Sequence, residues 1–521
     1  MVENIFQLIS KNSKKYKNKD AIIFQNERIS YKSLNKNVLN LSRALYSLGV
    51  RRNDKIGLVL HNSVEFIYIM LAAAEIGAAT VPLSTTLPIN MIISNFQSTN
   101  VNFIICWHTI LSKIILDKKL KNLYKKRRIS IGSKVNGCVC FEDLKNKKKL
   151  KQEYKNNLSL INKDYIISLT SGSTGKPKPI VFSQKTKLLR ALSAKKLYKL
   201  SNRDIVIAST PLEHSLSQRL IFLPLVMGST LVLLKNFSEI NWINQVQKYK
   251  VTFSVLVASQ TESIFKKNIV DLKKIKSLKT LVSTSAKLSK SFKDKAHLFK
   301  KCNFYECYGT SEIAFGTSLH LNKDIKKTKS VGKACADVSL KIIDNNNRLI
   351  KKDNVIGEIA CKTPLIFSGY LNKIKETKDS FSKNYFKTGD LGYLDKDKYL
   401  YLVGRKKNMV IVGGVNVYAE DVEEKIKNIK SVKDCCVIGV DDKRFGEAIV
   451  ALVIMKKGKK KDVVMLKKYC FDNLADFQQP LAYKFVSKFP RNVLGKILRK
   501  NLKNEYFKKN LSNKISALMR S

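Results

Sequence analysis

A loop of glycine, hydroxyl and lysine residues, directly after an apolar run at 165–169, has the strongest chemical signature in the sequence. Backbone N–H groups and hydroxyls in such a loop can surround phosphate oxygens, and the lysines add positive charge. It is not a Walker A loop, because Lys176 is followed by Pro177 rather than by serine or threonine, and this disfavours a kinase or P-loop ATPase. A flexible linker would not explain two lysines and a proline here. The candidate phosphate-binding residues are Thr170, Ser171, Gly172, Ser173, Thr174, Gly175 and Lys178.

Five shorter motifs follow this loop along the chain. They are Tyr-Gly-Thr-Ser-Glu at 308–312, Lys-Thr-Gly-Asp at 387–390, Gly-Arg at 404–405, Gly-Gly at 413–414, and a segment at 490–496 that ends in Gly-Lys. Each motif alone is weak, and Thr-Gly-Asp in particular is common turn chemistry. The complete ordered set is hard to obtain by chance.

In this order the motifs resemble the adenylate-forming superfamily of acyl-CoA synthetases, peptide-synthetase adenylation domains and luciferases, and the resemblance covers nearly the whole chain. It implies an enzyme that uses ATP to activate a carboxylic acid as its acyl-adenylate and then transfers the acyl group to a thiol. The carboxylate and the α-phosphate are both anions, so cations must neutralise them and hold them in line. The resemblance gives this bridging role to Lys496. It implies that the loop at 170–178 orients the β- and γ-phosphates of ATP.

The resemblance assigns further residues to the nucleotide and its metal. Glu312 would help to ligate Mg²⁺, a hard cation that prefers carboxylate and phosphate oxygens. Asp390 would accept hydrogen bonds from the ribose hydroxyls, and Arg405 would be a further nucleotide contact. The expected wall against adenine and the α-phosphate is formed by Tyr308, Gly309 and Thr310. The alternative for each residue is an ordinary surface charge or turn position.

His214 occupies a place where relatives often carry an aromatic residue or histidine that lines the acyl site. A histidine satisfied by nearby backbone is an equally good interpretation. The other expected acyl-site positions are apolar or small and offer no obvious buried charge for an α-amino group, which favours a fatty, branched or aromatic acid over an amino acid. They are Leu216, Leu220, 283–286 and 313–316.

The last part of the chain would supply the second half-reaction. In relatives the small domain rotates after adenylation and presents a glycine-containing strand to the thiol arm. Lys407 stands at the hinge position, and Gly413 with Gly414 matches that strand, although a glycine pair is also a common turn. The acceptor is coenzyme A or, as an alternative, the phosphopantetheine arm of a carrier protein.

Several positions depart from the superfamily pattern. Pro179 stands where glycine is usual and removes a backbone donor near the phosphates. Gln184 replaces a frequent histidine, and Ser-Ala-Lys at 285–287 replaces Gly-Ala-Pro against the adenine. The lysine and carboxylates of the proposed chemistry are all retained, so an active enzyme is expected.

The elements that position these residues are predicted from hydrophobic periodicity. Short apolar runs such as 21–24, 56–60 and 79–83 alternate with helical patterns such as 33–48 and 64–76, which predicts an α/β fold with a largely parallel sheet. The same alternation continues past residue 300. Runs near 338–343, 357–360 and 399–403 are separated by turn residues instead, which predicts a small antiparallel, barrel-like subdomain. We therefore predict a large N-terminal body, 1–404, and a small mobile α+β domain, 405–521, with helices near 419–426 and 463–473.

Amino-acid composition argues against several other classes of protein. The 521 residues include 97 Lys plus Arg against 41 Asp plus Glu, a net charge of +56 that suggests a nucleic-acid-binding protein as the rival from another class. The excess is mostly lysine scattered along the whole chain, without the aromatic interleaving of an RNA-binding module, which favours a composition bias. Ten cysteines without Cys-x-x-Cys spacing predict neither a zinc site nor a disulfide framework. With no signal peptide or membrane span in the pattern, we expect a cytoplasmic enzyme.

Overall fold

The chain folds into two compact units. The first comprises Met1–Thr328, Ala334–Ser339 and Lys362–Phe381, and the second comprises Lys329–Lys333, Leu340–Cys361 and Ser382–Ser521. The strand-rich segment before residue 404 thus groups with the C-terminal part, and a functional boundary at 404/405 stays a prediction. The computed structural model describes residues 4–117, 124, 127–146, 160–170, 178–266, 274–294, 296, 301–442, 444–491 and 497–507.

The helices alternate with strands over most of the first unit. The helices are α1 Ile5–Lys15, α2 Tyr31–Ser47, α3 Val64–Ile76, α4 Ile89–Ser98, α5 His108–Leu116, α6 Phe141–Asn146, α7 Gln184–Leu197, α8 Ser215–Met227, α9 Glu239–Tyr249, α10 Ala258–Lys266, α11 Lys290–Lys293, α12 Ile374–Asp379, α13 Ala419–Lys427, α14 Val463–Asn473 and α15 Arg499–Phe507.

The strands follow the same order along the chain. They are β1 Asp20–Phe24, β2 Glu27–Ser30, β3 Lys55–Val59, β4 Ala79–Pro82, β5 Phe103–Trp107, β6 Arg128–Ile131, β7 Val139–Cys140, β8 Asp164–Thr170, β9 Lys178–Ser183, β10 Ile205–Ala208, β11 Thr230–Leu233, β12 Phe253–Val257, β13 Thr280–Thr284, β14 Asn303–Tyr308, β15 Thr317–His320, β16 Lys333–Ala334, β17 Ser339–Ile343, β18 Gly357–Lys362, β19 Gly369–Tyr370, β20 Phe381–Ser382, β21 Tyr385–Leu394, β22 Leu400–Arg405, β23 Met409–Val412, β24 Val415–Tyr418, β25 Val432–Asp442, β26 Gly446–Met455 and β27 Ala482–Phe485.

Two large sheets form the first unit. One runs in the order β15-β14-β13-β12-β10-β11-β1-β2 and the other in the order β19-β9-β8-β4-β3-β5-β6-β7. The pairs between β1 and β11, between β12 and β13, and between β3 and β4 are parallel, whereas β1 with β2, β8 with β9 and β9 with β19 are antiparallel. The largely parallel α/β fold predicted from the sequence is confirmed.

Helix α3 shows how the sequence fixes these elements. The Ser63 side chain accepts a hydrogen bond from the Phe66 N–H at its start, and Gly77 ends it with a φ of 83°. Every residue of the helix except Glu65 is buried, as expected of a helix that is apolar all round. It packs on α1 and α2 and is too short to cross a membrane. Across the described residues, no helix combines the length and apolarity of a membrane span.

The second unit is built from antiparallel sheets. In one, β18 pairs with β21 and β21 with β22, and in the other the order is β24-β23-β26-β25 with β27 parallel to β26. A buried core of Val417, Val422, Val437 and Val453, with other apolar residues, joins α13 to the second of these sheets. The antiparallel subdomain and the small α+β domain predicted from the sequence are therefore present.

Candidate functional site

The predicted phosphate-binding loop at 170–178 runs from the end of β8 to the start of β9, two paired strands of the first unit. Strands β8 and β9 are antiparallel, with Thr170 opposite Lys178 and Leu169 opposite Pro179. The loop residues Ser171, Gly172, Ser173, Thr174 and Gly175 and the side chain of Thr170 lie outside the described residues. The β8–β9 hairpin therefore holds both ends of the predicted phosphate loop. The contacts of this loop with phosphate stay a prediction.

Lys178 and Glu312 both contact Tyr370. The Lys178 ammonium lies 5.2 Å from the Tyr370 ring centroid and 3.2 Å from Glu376 Oε2. The Tyr370 hydroxyl donates a hydrogen bond of 3.1 Å to Glu312 Oε1. Burial, together with the Glu312 charge, raises the pKa of the Tyr370 phenol, so this hydroxyl keeps its proton and remains a donor.

The backbone at Glu312 is anchored by a buried arginine. Arg190 on α7 donates to the Glu312 carbonyl at 2.7 Å, to the Ser311 carbonyl at 3.0 Å and to the Leu365 carbonyl at 2.9 Å. It also donates to the Ser215 hydroxyl at 3.2 Å, at the start of α8 and next to His214. Hydrogen bonds from a cation are worth about 1.5–3 kcal/mol each, so this one side chain fixes the turn that carries Glu312.

The motif around Glu312 has clear structural requirements. A Cβ on Gly309 would lie 2.1 Å from the Ala314 carbonyl oxygen, so only glycine fits. Tyr308 is buried at the end of β14. The Thr310 hydroxyl is buried and has no hydrogen-bond partner within the described part of the chain, which is a feature of sites that bind a ligand.

His214 begins α8 as its N-cap residue. Its backbone N–H donates to the Pro211 carbonyl at 3.1 Å, but its ring Nε2 is buried without a partner among the described residues. Burial lowers the pKa of this imidazole, partly opposed by Glu213, so the ring is mostly neutral at neutral pH. The ring is thus not fully satisfied by nearby backbone.

The departures from the superfamily pattern lie in different structural settings, and only that of Gln184 has a clear structural role. Gln184 is buried, and its amide donates to the Ala74 carbonyl at 2.9 Å and accepts from the Ile5 N–H at 3.2 Å, so it joins α7 to α3 and α1. Ser285 adopts a φ of 74°, the region that favours glycine. The carbonyl of Pro179 accepts a hydrogen bond from the Leu371 N–H at 2.9 Å.

The second unit holds the remaining predicted residues. Asp390 on β21 and Arg405 on β22 are cross-strand neighbours, and Arg405 Nε lies 2.8 Å from Asp390 Oδ1. Gly413 and Gly414 form the two-residue turn between β23 and β24, with φ values of 55° and 85°. Both positive values match a type I′ turn, in which glycine is favoured, so the hairpin alone accounts for this glycine pair.

The proposed catalytic lysine lies outside the described residues. Lys496 belongs to the segment 492–496, whose flanking residues Arg491 and Ile497 form an antiparallel bridge. Helix α15 follows, and Arg499 at its start donates to the buried Glu423 carboxylate at 2.6 Å. The position of Lys496 relative to the other predicted residues therefore stays a prediction.

The sequence reasoning missed two residues of the first unit that contact Glu312: Arg190 and Tyr370. Arg190 and Lys187 lie on the buried face of α7, so basic residues at helical spacing with Ala191 and Ala194 were the available signal. Arg219 directly precedes the apolar run of α8 and lines a cavity with Leu220. The predicted composition of the acyl site stays a prediction.

Comparison with known proteins places this arrangement in a family. The chain is 25% identical to a long-chain-fatty-acid–CoA ligase of Mycobacterium tuberculosis, over 92% of this chain and 93% of the relative. It is 26% identical to 2-succinylbenzoate–CoA ligase of Listeria monocytogenes, over 94% of this chain and 97% of the relative.

Solved structures agree with this fold. The o-succinylbenzoate CoA synthetase of Bacillus subtilis, in complex with its acyl-adenylate intermediate, superposes with a TM-score of 0.83 at 22% identity, covering 95% of this chain and 97% of that one. The ATP-bound MatB of Rhodopseudomonas palustris superposes with a TM-score of 0.84 at 23% identity, covering 96% and 99%. The model of the AMP-binding enzyme family matches residues 9–371, and the model of its C-terminal domain matches residues 421–496. The resemblance predicted from the motifs is confirmed, and the chain belongs to the family of AMP-binding enzymes.

Proposed function

We propose that this protein is an acid–thiol ligase, which activates a carboxylic acid with ATP as the acyl-adenylate and transfers the acyl group to the thiol of coenzyme A. The observation that carries the proposal is the match of one chain to both the main and the C-terminal model of the AMP-binding enzymes. The names of the curated relatives, which include CoA ligases for fatty acids, 2-succinylbenzoate, carnitine and coumarate, support the same reaction class.

The first half-reaction needs positive charge where two anions meet. In the proposal, Lys496 contacts the attacking carboxylate and an α-phosphate oxygen together, which lowers their repulsion and holds them in line. The loop at 170–178 donates hydrogen bonds to the β- and γ-phosphates. The unpartnered Thr310 hydroxyl supplies a donor on the α-phosphate side, and His214, as a neutral ring, forms part of the acyl wall.

The proposal assigns each part of the nucleotide to particular residues. Tyr308 and Gly309 would lie against the adenine, and the Asp390 carboxylate, oriented by Arg405, would accept hydrogen bonds from the ribose hydroxyls. Gly414 would let the pantetheine arm approach the backbone in the second half-reaction.

Glu312 fits a role as a Mg²⁺ ligand. Its carboxylate is oriented by Tyr370, and no group of three metal-ligating side chains occurs among the described residues. Mg²⁺ commonly takes one or two protein carboxylates and completes its shell with phosphate oxygens and water, so a single carboxylate suffices. When bound, the ion would neutralise charge on the triphosphate.

The decisive experiment tests Lys496. We expect Lys496→Ala to lower acid-dependent exchange between pyrophosphate and ATP by about 10²- to 10³-fold, because one transition-state cation is lost. The same variant should still convert a synthetic acyl-adenylate and coenzyme A to thioester. Lys460→Ala, at an exposed lysine of the same unit, is the matched control. Unchanged exchange in Lys496→Ala would refute the assignment.

The closest alternative is an enzyme that loads the phosphopantetheine arm of a carrier protein. The same residues would serve both acceptors. Product formation with free coenzyme A, measured against candidate carrier proteins at equal concentration, separates the two activities.

A further inference from the structure

A buried glutamine holds the turn that carries His214. This turn links β10 to α8 and spans 209–214. The Gln218 amide nitrogen donates to the Leu212 carbonyl at 3.3 Å and to the Glu213 carbonyl at 3.2 Å. Gln218 is 0% exposed, so water does not take over these hydrogen bonds in the folded protein. The two residues before His214 thus depend on the orientation of one amide group.

Asn62 fixes the other side of the same turn. Its side-chain oxygen accepts a hydrogen bond from the Leu212 N–H at 2.9 Å, and its nitrogen donates to the Thr210 carbonyl at 3.2 Å and to the Leu234 carbonyl at 2.9 Å. These contacts join the turn to the end of β11. They do not depend on the Gln218 amide, so we expect the turn to keep its overall course when that amide is disturbed.

The orientation of the Gln218 amide is set by a lysine. Lys187 on α7 is 1% exposed, and its ammonium lies 2.7 Å from Gln218 Oε1 and 3.3 Å from the Ser215 hydroxyl. An ammonium donates hydrogen bonds and accepts none, so only the amide oxygen can face it. The amide nitrogen must then face the opposite way, where the carbonyls of Leu212 and Glu213 accept its hydrogen bonds.

The buried position of this lysine costs free energy. Within the described part of the chain its ammonium bonds to an amide and a hydroxyl rather than to a carboxylate, and the Phe182 ring, with its centroid 3.8 Å away, compensates only in part. Burial, and then repulsion from Arg190 and Arg219, lowers the pKa of Lys187. An apolar side chain of similar size would avoid these penalties. The distinctive contribution of Lys187 is therefore its hydrogen bond to Gln218 rather than its packing.

We propose that Lys187 is a positioning residue for His214. It orients Gln218, and Gln218 holds the backbone immediately before His214, so the imidazole is kept in one place. The proposal rests on the proposed function where that function assigns His214 to the acyl wall. A wall that is ordered during folding binds an acid without a further ordering cost, so the effect of Lys187 belongs to the binding of the acid.

The first test observes His214 directly. NMR of isotope-labelled histidine rings resolves the five histidines of the chain, and His214→Asn identifies the signal of His214. We expect one His214 signal in wild type and a shifted or doubled signal in Lys187→Met, because the Gln218 oxygen loses its donor and the amide is free to turn over. The pKa of His214, which burial lowers in wild type, should rise towards its ordinary 6.5 as the ring gains water. A folded Lys187→Met with the wild-type His214 signal and titration would overturn the proposal.

Further variants test the path through the glutamine. Gln218→Met removes the amide and should move the His214 signal in the same way, and Lys187→Met/Gln218→Met should add no further change, because both residues act through one contact. Lys185→Met, at an exposed lysine of the same helix, should leave the His214 signal unchanged. Thermal melts report whether each variant folds. Additive changes in the double variant would contradict a path through Gln218.

A kinetic measurement connects this role to the ligase. Acid-dependent AMP formation is measured with whichever of decanoate, isovalerate and benzoate wild type turns over best. We expect Lys187→Met to raise the KM for the acid by about 3- to 10-fold and to leave the KM for ATP within about 2-fold, whereas a general loss of structure would affect both substrates. An altered His214 signal with an unchanged KM for the acid would support the positioning role and contradict the place of His214 in the acyl wall, so the two proposals fail separately.

Discussion

Glu312 gains its fixed position from residues that are remote in the sequence. Its carbonyl accepts hydrogen bonds from Arg190 at 2.7 Å and from the Phe367 N–H at 2.8 Å, while its carboxylate accepts one from Tyr370. A carboxylate held in this way loses little freedom when it binds a cation, so the ordering cost is met during folding rather than during binding.

Tyr370 should therefore tune the metal dependence of the reaction. Tyr370→Phe removes the hydrogen bond to Glu312 and keeps the ring that packs edge-on against Phe367. We expect the Mg²⁺ concentration for half-maximal activity to rise by about 10-fold or more, as for the loss of an outer-shell partner of a metal ligand. Tyr393→Phe, at a stacked tyrosine of the second unit, is the control in the same Mg²⁺ titration. An unchanged Mg²⁺ dependence would contradict the proposal that Glu312, held by Tyr370, is a Mg²⁺ ligand.

The residues proposed to contact the nucleotide are easier to find in the sequence than those that support them. Glu312 and Asp390 belong to short motifs whose residue types are dictated by phosphate and ribose chemistry. Arg190 and Tyr370 act through backbone carbonyls or a second side chain. The spacing of basic residues on α7 could point to a buried Arg190, but the sequence does not show which carbonyl groups it reaches.

At the scale of elements, a buried ion pair joins α11 to β14. Lys293 and Glu306 form this pair with both side chains buried, and Glu306 also accepts a hydrogen bond of 2.8 Å from the Leu288 N–H. Tyr308 lies two residues further along β14. The pair thus fixes the turn at 285–289 beside the strand that carries part of the expected adenine wall.

Breaking this pair should destabilise the first unit in a pH-dependent manner. Lys293→Met leaves the Glu306 charge buried and uncompensated, which should lower the free energy of unfolding at pH 7 by about 3–5 kcal/mol. Burial already raises the pKa of Glu306 above its ordinary 4.5, and loss of the lysine raises it further. The folded state then binds more protons than the unfolded state, so the stability of the variant falls as the pH rises from 4.5 through the folded-state pKa.

Urea unfolding of this variant between pH 4.5 and 8 measures the effect. The double variant Lys293→Met/Glu306→Gln should recover much of the stability and lose the added pH dependence, because the uncompensated charge is removed. Lys290→Met, at an exposed lysine of the same helix, is the control. A single variant with the wild-type pH profile would show that Glu306 is already neutral in the folded protein.

Local patterns determine most of the elements themselves. The helices predicted at 64–76 and 463–473 have the same bounds in the structure, because a serine or aspartate N-cap marks the start of each. The grouping of β18, β21 and β22 with the C-terminal part could not be predicted, because it depends on contacts between segments far apart in sequence.

At the scale of the whole molecule, the two half-reactions would need two arrangements of the chain. The residues proposed for adenylation include Lys496, whereas those proposed for the thiol include Gly414, and both follow the short 3₁₀ turn Lys406–Asn408. Within the second unit, Lys406 bonds to Glu358 at 3.0 Å and Asn408 to Glu420 at 2.7 Å. Lys407, between these two contacts, is exposed and is the predicted hinge.

Restricting this hinge should slow thioester formation and leave adenylation nearly unchanged. Lys407→Pro fixes φ near −65° and restricts Lys406, which should slow any rotation at this point while leaving the residues of the adenylation step in place. We expect acid-dependent exchange of pyrophosphate into ATP to remain within about 3-fold of wild type, while thioester formation falls by at least about 10-fold, because a conformational step limits only the second reaction. Both rates are measured on the same preparation, so the exchange rate is the internal control for folding. Equal loss of both activities would show that the substitution damages the site itself, and loss of neither would place the hinge elsewhere in the chain.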